Sequence, residues 1–277
     1  MLLLYTKYTE LYILKIVNVM VRIRSTKLWS LLSSLKFFVI DFFMQRRDYI
    51  FHFEGINSVF YLPYIRTDNI QKTIVRNSNY FEYQELSFFC KQWKGGVIEN
   101  TIKNSYVIDI GANIGNHTLY FLNECCAKFV YCFEPVNEAY DILEKNILIN
   151  NLSEYVMLVN SAVGSHCGKG RIVSSISKNT GYTQIEASLE GDIDIIAVDD
   201  MVFDDRVGLV KIDVEGFELS VIQGMQDTLK KYNPFVVVEI WHKNKDEIES
   251  IMKRLGYEFV IFDSNKDNSN YLFFNEI

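Results

Sequence analysis

The residues best suited to chemistry lie in Asp109-Ile110-Gly111-Ala112-Asn113-Ile114-Gly115-Asn116-His117-Thr118, between an apolar run and the start of a helical period. Glycine lets a backbone approach a ligand closely, and a helix start offers unpaired N–H groups to an anion. The spacing is G-x-x-x-G, whereas a pyrophosphate cradle reads G-x-G-x-x-G. Asp109, just before the first glycine, would repel phosphate and favour an ammonium group. The turn therefore suits a cationic amino-acid cofactor better than NAD. S-adenosyl-L-methionine meets that description, with its methionine carboxylate facing the helix start. Asp109, Gly111, Asn113, Gly115, Asn116, His117 and Thr118 are the candidate contacts, and His117 is expected to shape the pocket rather than move protons. A turn with no ligand is the structural alternative.

Further carboxylates follow in an order that fits such a cofactor. Glu134 ends the next apolar run, nineteen residues after Gly115, where an α/β fold presents an acid to ribose hydroxyls; Pro135 suits the first turn of the following helix. Lys211-Ile212-Asp213-Val214-Glu215-Gly216 and Val238-Glu239-Ile240-Trp241-His242 put acids at the ends of two later runs. Methyl transfer is an in-line displacement, so the acceptor oxygen must be aimed and relieved of its proton. Asp213, Glu215, Glu239 and His242 are the catalytic candidates. Carboxylates that merely complement a helix dipole, and an ordinary surface histidine, are the alternatives.

The elements that must position these residues can be read from periodicity. Tyr106–Ile110, Phe129–Phe133, Tyr155–Val159, Val207–Ile212 and Pro234–Ile240 are nearly continuous apolar runs, as expected for strands of a parallel sheet covered on both faces. Helical periods separate them, notably Phe217, Val221, Met225 and Leu229, and Ile248, Ile251, Met252 and Leu255 before Gly256. Tyr257–Phe262 and Tyr271–Phe274 flank a polar segment too short for a crossover helix, which predicts a terminal antiparallel hairpin. The glycines and hydroxyls of 164–190 predict an inserted hairpin or loop near the pocket. Upstream, Tyr49–Phe53 and Val59–Tyr64 flank Glu54-Gly55-Ile56-Asn57 as a hairpin, and Tyr83–Trp93 reads as a helix ended by Gly95-Gly96. The expected fold is α/β: a Rossmann-like class I methyltransferase sheet, mostly parallel, with a C-terminal antiparallel hairpin. Residues 1–100 form an N-terminal helical and hairpin extension, and 101–277 the cofactor-binding domain.

Composition narrows the partners. The 277 residues are 49% hydrophobic with three prolines, which suits a packed chain, and carry a formal charge of −7, which makes nucleic acid a poor substrate. Five cysteines form no C-x-x-C pair; buried thiols in a reducing, cytoplasmic setting are expected. Lys7, Glu10 and Lys15 interrupt the N-terminal apolar stretch, so no signal peptide is expected. Lys36 and Asp41 interrupt Leu28–Met44, leaving amphipathic packing or peripheral membrane contact.

Together the motifs resemble the FkbM family of S-adenosylmethionine-dependent methyltransferases. They appear as Val107–Gly115, Phe133-Glu134-Pro135, Ser161-Ala162-Val163-Gly164, Val198-Asp199-Asp200, Val210–Glu218 and Pro234–Glu239. The resemblance implies O-methylation of a hydroxyl on a carbohydrate, glycolipid or related metabolite. It also implies that Asn150, Ser161 and Ala162 lie near the adenine, and that Glu82 or Glu85 faces the substrate. It requires no metal, although Asp199, Asp200 and Asp213 could converge. Asn116-His117 departs from the aromatic or small residue common in the family. Residues 1–45 lie outside the resemblance. A non-catalytic cofactor-binding module and an NAD-dependent oxidoreductase are the other classes; the intact acids argue against the first, and the G-x-x-x-G spacing with the terminal hairpin against the second.

Overall fold

A computed structural model describes residues 37–44, 48–176 and 179–275. The expectations for residues 1–36, including most of the candidate membrane segment, lie outside the described residues. Helix α1 (37–44) leads into hairpin β1 (Ile50–His52) and β2 (Val59–Tyr61), the predicted pair. Helix α2 (Asn69–Asn77) follows, capped by Asp68, whose side chain accepts from the Gln71 N–H.

The predicted helix over 83–93 is instead three short pieces. Helix α3 (Tyr83–Ser87) opens into a π-turn over Phe88–Gln92 and a 3₁₀ turn over Trp93–Gly95. Gly95 and Gly96, both at positive φ, end this run as expected, and α4 (Val97–Ile102) begins.

The main body then alternates: β3 (Tyr106–Ile110), α5 (Asn116–Asn123), β4 (Phe129–Phe133), α6 (Asn137–Ile149) and β5 (Val156–Val159). The insertion is a second sheet of β6 (Ala162–Val163), β7 (Gly168–Ile176), β8 (Asn179–Ala187) and β9 (Ile193–Ile196), with β7 and β8 its antiparallel hairpin. Then come β10 (Val207–Ile212), α7 (Glu218–Gln223), α8 (Gln226–Tyr232), β11 (Phe235–Trp241), α9 (Lys245–Arg254), β12 (Glu258–Ser264) and β13 (Asn268–Phe274).

The seven-stranded sheet runs β12-β13-β11-β10-β3-β4-β5. The pairs β11/β10, β10/β3, β3/β4 and β4/β5 are parallel, and β13 pairs antiparallel with both neighbours. This is the expected methyltransferase arrangement, with the added detail that the last strand inserts between β11 and β12. The central strands are buried along their length, and apolar clusters cover the two faces. One of them joins Phe51, Phe60, Tyr80 and Trp93 to Val107, Leu119 and Leu272.

The Phe217–Leu229 period holds its apolar face, with Val221, Met225 and Leu229 fully buried, but the helix breaks at Gly224 into α7 and α8. The break falls at a close approach that only glycine admits: a Cβ on Gly224 would lie 1.9 Å from the Gly164 carbonyl oxygen. Asp199 supports the restart, accepting from the Asp227 and Thr228 N–H groups, so its carboxylate caps α8. All five cysteines are free; Cys90, Cys125 and Cys132 are buried as expected, whereas Cys126 and Cys167 are exposed. Gly224→Ala is expected to destabilise the protein by about 2–3 kcal/mol, since backbone must move to admit the methyl group; urea denaturation measures this.

Candidate active site

A cavity of about 800 Å³ opens at the C-terminal ends of β3, β4, β10 and β11, the edge where open α/β sheets bind ligands. Its floor is the glycine turn. Gly111 has φ +76°, and a Cβ there would sit 1.8 Å from the Asp213 carbonyl oxygen, so only glycine allows the ends of β3 and β10 to meet. The Gly111 and Ala112 N–H groups both donate to the Phe133 carbonyl, tying the turn to β4. The first N–H groups of α5 have no carbonyl partner within the helix, and Asn116 and His117 from that turn line the cavity.

Glu134 stands opposite. Its two carboxylate oxygens accept from the N–H groups of Asn113 and Val136, each at 2.9 Å. Burial pushes its carboxyl up to about 7 against the pull of those two donors. Ser161 and Ala162, at the start of the inserted sheet, line the same wall with Pro135, and Thr183 and Ile185 of β8 reach it from the hairpin.

Beneath the turn lies a buried ion pair. Lys211 Nζ is 3.2 Å from Asp109 Oδ1, 3.8 Å from Asp213 Oδ2, and donates to the Gly111 carbonyl at 2.7 Å. Burial works against the lysine charge, but Asp109 and Asp213 outweigh it and hold its pKa above the ordinary value. Asp109 also accepts from the Thr118 hydroxyl at 2.6 Å.

The acceptor end is rich in carboxylates. Burial, reinforced by Asp213 and Glu218, moves Glu215 up to about 7; burial, reinforced by Asp213 and Glu215, moves Glu239 up to about 8. Asp213 is raised by burial despite Lys211. Asn268, at the start of β13, donates to Glu239 Oε1. Glu82 faces His117, with Oε2 3.4 Å from Nε2; burial opposes its charge, but the histidine leaves its carboxyl below the usual range.

Eleven expected residues meet around the cavity: Gly111, Asn113, Asn116, His117, Glu134, Pro135, Ser161, Ala162, Asp213, Glu215 and Glu239. The other five lie elsewhere. Asp109 is fully buried below the turn, its charge matched by Lys211 rather than turned to a ligand, and Thr118 serves it. Gly115 faces α6, where a Cβ would meet Leu143 Cδ1 at 2.6 Å. Asn150 joins α6 to β2 through both backbone groups of Val59. His242 is exposed beyond the end of β11, with its ring near Ser269 Oγ at 3.3 Å. Of the two glutamates implied near the substrate, Glu82 lines the cavity and Glu85 a small pocket beside it.

Sequence reasoning assigned no role to Lys211, Trp241 or the turn at 265–268, all of which line the cavity. Lys211 carried a signal: a lysine inside an apolar strand needs a buried carboxylate, and Asp109 breaks the neighbouring strand in the same way. Trp241 lies two residues after Glu239, on the same face of β11.

A family model for the methyltransferase FkbM domain matches residues 109–259. The chain belongs to the FkbM methyltransferase family. Methyl transfer is therefore its class of reaction, and S-adenosylmethionine the general donor for FkbM enzymes. Methyltransferase sdnD of Sordaria araneosa is 24% identical over 198 residues, covering 58% of this chain and 76% of that protein. Hexuronic acid methyltransferase AglP of Haloferax volcanii is 30% identical over 148 residues, covering 52% and 59%. The crystal structure of methyltransferase FkbM from Methylobacillus flagellatus KT is similar with a TM-score of 0.47 and 17% identity, over 62% of this chain and 44% of that one.

The raised acids make stability pH-dependent. Glu134 is protonated up to about 7 in the folded protein but ionises near 4.5 when unfolded, so the folded state holds the extra proton between those values. Stability is then expected to fall as pH rises from 5 to 7. Glu134→Gln, which cannot ionise, should flatten that slope, as read from thermal midpoints across the pH series.

Proposed function

We propose that this FkbM methyltransferase transfers a methyl group from S-adenosyl-L-methionine to a hydroxyl of a carbohydrate, glycolipid or related metabolite. The observation that carries the reading is a single cavity joining the glycine turn and Glu134 to the acids at the ends of β10 and β11. The residues fit the cofactor. The start of α5 offers N–H groups to a carboxylate, and Glu134 retains acceptor capacity for a vicinal diol. Carboxylates suit a sulfonium and an ammonium. The similarity to a hexuronic acid methyltransferase supports a carbohydrate acceptor.

When bound, S-adenosylmethionine supplies an electrophilic methyl group. The chain's own task is to aim the acceptor oxygen and take its proton. Glu239 suits the role of base: Asn268 orients it, and its carboxyl, near 8, matches a proton acceptor working around neutral pH. Asp213, beside Lys211, has its charge committed to the ion pair. Glu239→Gln is expected to lower kcat by about a hundredfold or more while leaving S-adenosylhomocysteine affinity within about threefold. Wild-type kcat/KM should rise with pH through about 8, because the protonated carboxyl cannot accept a proton. The cofactor half is tested by calorimetry: S-adenosylhomocysteine should bind wild type at least about tenfold more tightly than Glu134→Ala, and equal affinities remove the assignment.

Free cysteines support a cytoplasmic setting. Among the described residues no helix is long and apolar enough to cross a membrane. Peripheral contact is part of the proposal, because α1 exposes Phe38, Val39 and Phe43. Full-length protein should sediment with phosphatidylglycerol vesicles, and Phe38→Ser with Phe43→Ser should reduce the bound fraction severalfold. Unchanged sedimentation removes α1 as the contact.

A further inference from the structure

The turn after β10 breaks a local rule. The Val214 carbonyl accepts from the Phe217 N–H at 3.3 Å, and the two residues between them, Glu215 and Gly216, have φ +49° and +102°. A turn with positive φ at both central positions favours Gly, Asn or Asp there, because other side chains crowd their Cβ against the backbone. Gly216 obeys and Glu215 does not. Strain of this kind persists only where the surroundings over-determine it, and it gathers at functional sites.

Two side chains over-determine this one. Glu218 is fully buried, and its Oε1 accepts from the Gly216 N–H at 2.7 Å. That N–H belongs to the peptide joining Glu215 to Gly216, so its direction fixes the ψ of Glu215. Asn244, in the 3₁₀ turn after β11, donates from Nδ2 to Glu218 Oε2 at 2.7 Å and to the Gly216 carbonyl at 3.2 Å. It stands at the N-cap of α9 without capping that helix, so its amide serves the 215–216 turn. The result is a half-buried Glu215 that lines the cavity. Burial, then Asp213, Glu218 and Glu82, move its carboxyl up to about 7, and no hydrogen bond pulls it back. Glu239 of β11 is close enough to feel its charge, and Lys243 is the cation on that side, with Nζ 3.2 Å from where a Gly216 Cβ would stand.

We propose that Glu218 and Asn244 are positioning residues: their grip on both sides of Gly216 holds Glu215 left-handed and keeps its carboxyl in the cavity, at the end that receives the methyl acceptor. The last clause rests on the methyltransferase reading above; the grip does not. A glutamate thus occupies a position that glycine or asparagine would fill with less strain, and it stays there because two other side chains hold the turn.

The test follows the Glu215 carboxyl by NMR in full-length protein carrying isotope-labelled glutamate, its signal assigned by its loss in Glu215→Gln. Wild type is expected to titrate at about 7. In Asn244→Ala, which keeps the Glu218 carboxylate, the midpoint should fall by about one pH unit or more as the carboxyl swings towards water. Glu218→Gln and Glu218→Ala both delete a charge, but only glutamine can still accept the Gly216 N–H, so the midpoint should be about one pH unit higher in the glutamine variant. Strain gives a second readout: Glu215→Asn should melt about 2 °C or more above Glu215→Gln, since both lack the charge and asparagine tolerates positive φ. A midpoint unchanged in folded Asn244→Ala protein, or equal in the two Glu218 variants, overturns the positioning role. Equal melting of the two Glu215 variants overturns the strain. Failure of S-adenosylhomocysteine to bind wild type would instead remove the reading that makes this the acceptor end, a result separate from the titrations, which need no ligand.

Discussion

The buried lysine of β10 is the interaction on which the site depends. Lys211 and Asp109 are register partners on adjacent parallel strands, and the ammonium also holds the Gly111 carbonyl. A charge in that position is tolerable only because a carboxylate meets it; removing one member of such a pair typically costs about 3–5 kcal/mol. The pair thus couples three things: the register of β3 against β10, the path of the glycine turn, and the location of Asp213 at the rim of the cavity. Gly111 is the steric counterpart of this electrostatic tie, since no side chain fits between the turn and the Asp213 carbonyl.

The second constraint is electrostatic crowding at the ends of β10 and β11. Burial raises the pKa of Glu215, Glu239 and Asp213; Asp213 adds to the rise at both glutamates, Glu215 to that at Glu239, and Glu82 to all three. Such an arrangement is unfavourable for the isolated fold, and perturbed carboxylates gathered in one cleft are a recurrent mark of a functional site. A ligand bearing positive charge would relieve that repulsion.

Apolar periodicity and turn chemistry determined much of this protein from the sequence alone. The runs at 106–110, 129–133 and 207–212 became strands with the predicted bounds, because a strand covered on both faces must be apolar throughout. The placement of the turn, Glu134 and the acids at the ends of β10 and β11 was legible because an α/β sheet puts its strand ends along one edge. Sequence periodicity also marked the buried face of residues 217–229.

Tertiary structure decided what depends on neighbours distant in the chain. The 217–229 period broke at Gly224, where Gly164 passes within contact, an approach that no local pattern reveals. Asp109, conspicuous beside the turn, proved to face Lys211 from another strand, and Asn150 was taken up by Val59. Trp241 gained its place when β13 inserted beside β11 and brought the 265–268 turn over the same cavity. Residue type and spacing set which groups can lie at a strand end, but a side chain's partner, and hence whether its charge or N–H remains available to a ligand, is fixed only when separate segments pack together.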